Sequence, residues 1–216
     1  MHSNQNLLHT LSKATRTATG SFERFLNQEI NIPRGTRKQA SKSQEHLRDF
    51  LNNEANRDDE FPRILSVVDS DFLGGSFARH SKIWPLDDID VYFPLDGCSL
   101  IYTQRGMRLP CTVLSDGTLL SNPLLDAPDR WMDDGYISSR KLIDGFAKVL
   151  RRHYPAQTRI RRAGEAVNVK METLGFDVVP CFSLQPDNPM DRPFYVIPDG
   201  NDGWIHTNPR IDNDVS

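Results

Sequence analysis

Three aspartates and one glycine-rich turn are the residues of this sequence whose types and spacing could do chemistry. Leu73-Gly74-Gly75-Ser76 leads from an apolar segment into Phe77-Ala78-Arg79-His80-Ser81-Lys82. The pattern predicts a tight turn opening a short helix, where glycine lets the backbone approach a phosphate and helix N–H groups suit an anion. Asp88 and Asp90 come next, separated by Ile89. On a strand, residues two apart share a face about 6.6 Å apart along the chain, so the pair can converge on hard cations. A solvated outer face of an edge strand would give the same spelling. Asp177 is a lone charge in the apolar run Gly175-Phe176-Asp177-Val178-Val179-Pro180, where a charge needs a partner. If its strand lies beside Asp88-Ile89-Asp90, three carboxylates face one site, the layout for two magnesium ions about 3.5–4 Å apart. One ion would activate an attacking hydroxyl, and the other would hold a triphosphate and steady the leaving pyrophosphate.

The elements that must position these groups are legible from periodicity. Ile89, Val91 and Phe93 alternate with Asp88, Asp90 and Tyr92, and Val167, Val169 and Met171 alternate with Asn168, Lys170 and Glu172, both at the period of a strand. Residues 176–182 read as a further short strand, ended by Pro180 and the residues just after it. Between them, Leu142, Ile143, Phe146, Val149 and Leu150 form a helical stripe, with Ser138 and Ser139 as cap candidates and Pro155 as the stop. Upstream, Leu7, Leu8 and Leu11, then Phe22, Phe25 and Leu26, sit at helical spacing. A second, polar helix is expected from Thr36 to Asn53 after the break at Pro33-Arg34-Gly35. Residues 95–135 read as a long irregular connection. The order predicts an α+β fold, with residues 1–62 as an N-terminal helical segment and residues 63–216 as the core that carries the site.

Composition narrows the class without naming it. The 216 residues are 38% hydrophobic and 25% charged, ordinary for a globular protein and enough to fold without a metal or disulfide staple. A net charge of -3 disfavours a protein that lives on bare duplex nucleic acid. Cys98, Cys111 and Cys181 lack C-x-x-C spacing, so no disulfide partner and no zinc site are expected, and a reducing cytoplasm fits. No apolar run approaches the ~20 residues of a membrane span, and no membrane partner is expected.

Gly75-Ser76, then Asp88-Ile89-Asp90 after eleven residues, then a strand-borne Asp177, resembles the polymerase-β-like nucleotidyltransferase superfamily. Within it the chain is most similar to the bacterial CD-NTases, relatives of cyclic GMP–AMP synthase and oligoadenylate synthase. The narrower resemblance rests on residues 82–90, on Phe176-Asp177-Val178-Val179-Pro180, and on Ile197-Pro198-Asp199-Gly200 with residues 204–209 after it. It covers most of residues 36–210.

The resemblance implies a mixed sheet flanked by helices, with Ser76 on the triphosphate and Asp88, Asp90 and Asp177 on two Mg2+ ions, or Mn2+ in their place. Gly75 belongs to the same phosphate-binding turn. The implied activity joins nucleoside triphosphates (ATP, GTP or other) into a cyclic di- or trinucleotide second messenger, releases pyrophosphate and serves bacterial antiphage defence. A regulatory ligand or protein is a further implied partner. A terminal nucleotidyltransferase of the tRNA or poly(A) type, or a nucleotide-binding module without turnover, would share the same device. CD-NTases carry a C-terminal helical half beyond the matched segment, which is largely absent here, so the chain reads as the catalytic half of a longer enzyme.

Other candidates have two readings each. Arg79, His80 and Lys82 lie close in sequence to Ser76 and are placed to meet phosphate. Arg151, Arg152, His153, Arg159, Arg161 and Arg162 could bind RNA, DNA or a regulatory ligand, or simply complement a helix C-terminus. Trp204 is expected in the core or at a hinge rather than over a base, Cys181 in packing, and Asp87 turned away from the paired aspartates.

Overall fold

The computed structural model describes residues 20–23, 31–58, 61–64, 71–79, 86, 88–95, 101–103, 106–108, 124, 127–172, 174–184 and 194–208. Residues 20–23 are helical, whereas Leu7, Leu8, Leu11, Phe25 and Leu26 lie outside the described residues.

The polar N-terminal stretch forms one long helix, α1 (Arg34–Arg57), two residues earlier and four later than its periodicity suggests. Pro33 starts it, since a missing N–H costs nothing ahead of a first turn, and Arg37 N–H donates to its carbonyl at 3.0 Å. Ala40, Gln44, Leu47 and Leu51 are its buried residues, at helical spacing. Arg48 on the same helix forms an ion pair with Asp71 and donates from Nη2 to the Asp71 carbonyl at 2.9 Å. That clamp fixes the residue just ahead of β1 (Phe72–Leu73), which leads into the glycine turn and the short α2 (Gly75–Ala78).

The remaining strands are β2 (Ile89–Leu95), β3 (Ile101–Thr103), β4 (Gly106–Arg108), β5 (Met132–Asp133), β6 (Tyr136–Ile137), β7 (Arg159–Ala163), β8 (Ala166–Lys170), β9 (Gly175–Leu184), β10 (Phe194–Pro198) and β11 (Trp204–Thr207). The helices between them are α3 (Pro128–Trp131) and α4 (Ser139–His153). Seven strands make the main sheet in the order β1-β2-β9-β10-β11, with β8 also on β9 and β7 on β8. The β2–β9 pair is parallel and its other pairs are antiparallel, so the sheet is mixed and the fold is α+β.

The stretch 95–135 is not simply irregular. With residues 136–137 it builds a four-stranded sheet, β3-β4-β6-β5. Strands of two or three residues are too short for alternation to register in sequence. Asp134 (φ 50°) and Gly135 (φ 80°) close its β5–β6 hairpin in the left-handed region, as a two-residue turn requires. Nor does Pro180 end its strand. It falls between Val178, where β8 stops pairing with β9, and Phe182, where β10 begins, so its missing N–H can face an edge without a ladder.

Helix α4 forms along the expected stripe. The Ser138 side chain accepts from Lys141 N–H at 3.4 Å, and Leu142, Ile143, Phe146, Ala147, Val149 and Leu150 are buried. They meet Ile89, Val91 and Phe93 of β2 and Phe176 and Val178 of β9 in one cluster that also holds Leu47 and Leu51 of α1. Phe146 sits at its centre, with ring centroids 4.8 Å from Phe61 and 6.2 Å from Phe93. Trp204 is core, 7% exposed, and its Nε1–H donates to the Ile137 carbonyl at 3.0 Å. Among the described residues no helix is long and apolar enough to cross a membrane.

Candidate active site

Alternation along β2 and β9 divides the main sheet into two faces. Ile89, Val91, Phe93, Phe176 and Val178 point toward α1 and α4. Asp90 and Asp177 therefore point to the other face, which they share with a smaller cluster of Val179, Cys181, Tyr195 and Ile197, lined by Phe72 and Tyr92. The parallel register makes Asp90 and Asp177 direct partners. Adjacent strands lie about 4.8 Å apart, so two half-buried carboxylates stand side by side on a rigid support.

The glycine turn closes on this pair from the other side. Strand β1 runs antiparallel to β2 with Leu73 opposite Val91, and Gly74 N–H donates to the Asp90 carbonyl at 3.0 Å. Gly75 adopts φ +64°, and a side chain on its Cα would collide with the Asp90 carboxylate. Gly74 is held as tightly, since a Cβ there would enter the Tyr92 ring, which stacks on Phe72 at 5.0 Å. Gly75 thus allows the backbone to approach the acid, and Gly74 allows it to pass against the Tyr92 ring. Ser76 is half-buried in the first turn of α2, and Arg79 ends that helix with its N–H donating to the Gly75 carbonyl at 3.3 Å.

The expected site residues assemble unequally. Gly75, Asp90 and Asp177 come together, with Ser76 next in the chain. Asp88 is exposed and precedes the first residue of β2 by one position. His80, Lys82 and Asp87 lie outside the described residues. Among the described residues no group of three or more His, Cys, Asp and Glu side chains is gathered so that it could hold a metal ion. Two adjacent carboxylates nonetheless fit magnesium, which keeps several waters and takes one or two carboxylates together with substrate phosphates.

One participant carries a signal that the aspartates overshadowed. Asn168, on β8, is the register partner of Asp177, and its Nδ2–H donates to Asp177 Oδ1 at 2.9 Å. In sequence it belongs to the polar half of the β8 alternation, the half that turns away from the α4 core.

The basic cluster splits between faces. Arg162 lies 3.9 Å from Asp144 of α4, Arg151 donates to the Ile160 carbonyl at 3.2 Å, and Arg152 lies 3.5 Å from Asp58 and 3.7 Å from Glu54. His153 stacks on Phe50 at 3.7 Å, and its Nε2 lies 3.2 Å from Nε2 of His46. Burial, with His46 beside it, holds the His153 pKa below its ordinary 6.5. Arg161 pairs with Asn168 across β7–β8, so alternation puts it on the carboxylate face.

Comparison with known proteins bears on the fold that holds these residues. The chain is 28% identical over 205 residues to a probable cyclic nucleotide synthase of Bacillus cereus (strain VD146), a match covering 92% of this chain and 58% of that protein. The chain thus spans less than two thirds of that relative's length. Its fold is similar to that of CdnC from E. coli MS115-1, solved with ATP, with a TM-score of 0.50 and 16% identity over 89% of this chain and 48% of the other. It is also similar to that of the Bradyrhizobium diazoefficiens CD-NTase CdnG in complex with GTP, with a TM-score of 0.55 and 13% identity over 88% of this chain and 43% of the other. No protein-family model matches the chain. The fold is the polymerase-β-like nucleotidyltransferase fold of the CD-NTases, and the sequence is similar to that of a cyclic nucleotide synthase.

Proposed function

We propose that this chain, carrying the CD-NTase fold, is the catalytic part of a nucleotidyltransferase that joins nucleoside triphosphates into a cyclic di- or trinucleotide. The observation that carries the reading is the register of Asp90 and Asp177 beside the Gly74-Gly75-Ser76 turn. A triphosphate is the substrate class that such a site accommodates, and the ATP of CdnC and the GTP of CdnG support it.

In this reading the 3′-hydroxyl oxygen of one nucleotide forms a bond to the α-phosphorus of another, and the bond from that phosphorus to the α–β bridging oxygen breaks. Pyrophosphate leaves, and the hydroxyl proton passes to a carboxylate or to water. A second transfer closes a cyclic dinucleotide, and a third closes a cyclic trinucleotide. Phosphoryl transfer requires mainly positioning and charge neutralisation. The backbone at Gly74 and Gly75 lets phosphates come close, and the Ser76 hydroxyl donates to them. Asp90 and Asp177, with Asp88 at the strand entrance, supply the oxygen ligands for Mg2+ or Mn2+. A cation held by these residues would neutralise charge on the phosphates and lower the pKa of the attacking hydroxyl. Release of the product as a second messenger in antiphage defence is the role that the CD-NTase likeness supports.

The test is incubation of the full-length protein with α-labelled ATP and GTP and Mg2+. A phosphatase-resistant cyclic product supports the reading, whereas extension of an added RNA identifies a terminal nucleotidyltransferase instead.

A further inference from the structure

We propose that Asn168 is the positioning residue that holds Asp177 in its cation-binding orientation, an inference that rests on the two-carboxylate reading above. Asp90, Asp177 and Asn168 occupy one row across the adjacent strands β2, β9 and β8, all on the same face. Within that row Asn168 Nδ2–H donates to Asp177 Oδ1 at 2.9 Å. The donor is fixed by chemistry, since an amide oxygen turned to a carboxylate would repel it. Both residues are half-buried on paired strands, so the ladder holds their backbones directly opposite each other.

This hydrogen bond shapes the site in two ways. With Oδ1 engaged, the carboxylate cannot rotate freely, and Oδ2 is the oxygen left to ligate beside Asp90. Carboxylates that bind metals are held by such hydrogen bonds, and removing the partner weakens metal binding about 10- to 100-fold. Asparagine is also suited to its other neighbour. Arg161 stands opposite it on β7, so a neutral amide separates the guanidinium from Asp177 in the row. An acid at 168 would pair with Arg161 and add a like charge beside Asp177. A leucine, branched at the same carbon, would leave Oδ1 without its donor.

Binding of Mn2+ to the full-length protein without nucleotide, monitored by electron paramagnetic resonance, tests this directly. Asn168→Leu and the smaller Asn168→Ala, each checked for native circular dichroism, should weaken Mn2+ binding at least about tenfold, with Asn168→Ser recovering part of the loss. Wild-type Mn2+ affinity in both Leu and Ala variants, alongside loss of binding in Asp177→Asn, overturns the role of Asn168 and leaves the cation site standing. Wild-type affinity in Asp177→Asn removes the cation site and the role of Asn168 with it.

Discussion

Asp90 and Asp177 are register partners on adjacent parallel strands, 87 positions apart in sequence and side by side on one face of the sheet. Two like charges so placed oppose each other unless a cation lies between them. In the cation site proposed above, a metal ion held between them would relieve that opposition.

Asp90→Asn and Asp177→Asn should each lower nucleotidyl transfer by about 100- to 1000-fold, the scale of losing several kcal/mol of transition-state charge stabilisation. Each should also raise metal-free stability by about 0.2–1 kcal/mol, because one of two opposed like charges is gone. Chemical denaturation in EDTA, run beside the activity assay, checks both. An acid kept for structure alone would lose stability instead.

Gly75→Ala should be damaging on two counts. The left-handed conformation costs an alanine about 1–2 kcal/mol, and the new methyl group enters the space of the Asp90 carboxylate. A displaced acid should reduce turnover about 100-fold, more than a loss of this size in stability explains. Gly35, whose Cβ would meet open space, serves as the control, and Gly35→Ala should leave turnover unchanged.

Arg48→Met should destabilise the chain by about 1–3 kcal/mol, because it leaves the nearly buried Asp71 carboxylate without its ion pair. Arg48→Met combined with Asp71→Leu should recover most of that loss, with a coupling term measurable in a double-mutant cycle.

Stability should fall as the pH drops below about 6.5, the ordinary histidine pKa. Burial and the neighbouring His46 keep His153 neutral in the folded state to lower pH than in the unfolded chain. The unfolded chain then takes up the proton first, so the stability present above pH 6.5 is lost on acidification until the folded pKa is passed. Thermal melts of wild type and His153→Gln between pH 7.5 and 5 check the sign. The variant should show a shallower decline.

The core carries the simplest expectation. Phe146→Ala should cost about 3–5 kcal/mol, since the ring is fully buried between α4, Phe61 and β2. Urea denaturation should show a lower midpoint with little change in slope.

What could be read from the sequence depends on the length of each signal. The Asp88–Phe93 and Val167–Glu172 alternations and the α4 stripe are long enough for their period to show, and all three elements form. Strand β2 starts one residue later, at Ile89, and β8 ends at Lys170, short of Met171 and Glu172. The α+β class is set by their order. The short strands between 101 and 137 have no room for a period, so a small sheet reads as a connection. The pairing of Asp90 with Asp177 depends on a parallel β2–β9 neighbourhood that no local pattern encodes. Asn168 is visible in sequence only as one polar residue in an alternating strand, and its role emerges once β8 is set against β9. Arg162 and Arg161 are adjacent in sequence and face opposite sides of the sheet, so the basic cluster dissolves on folding.

The most direct test of the cation site is anomalous diffraction from crystals of the protein grown with Mn2+ and a non-hydrolysable triphosphate. A manganese peak between the Asp90 and Asp177 carboxylates, with phosphate oxygens completing its shell beside Gly74 and Gly75, is the result expected. A triphosphate bound in that cleft with no manganese within coordination distance of either aspartate would contradict it.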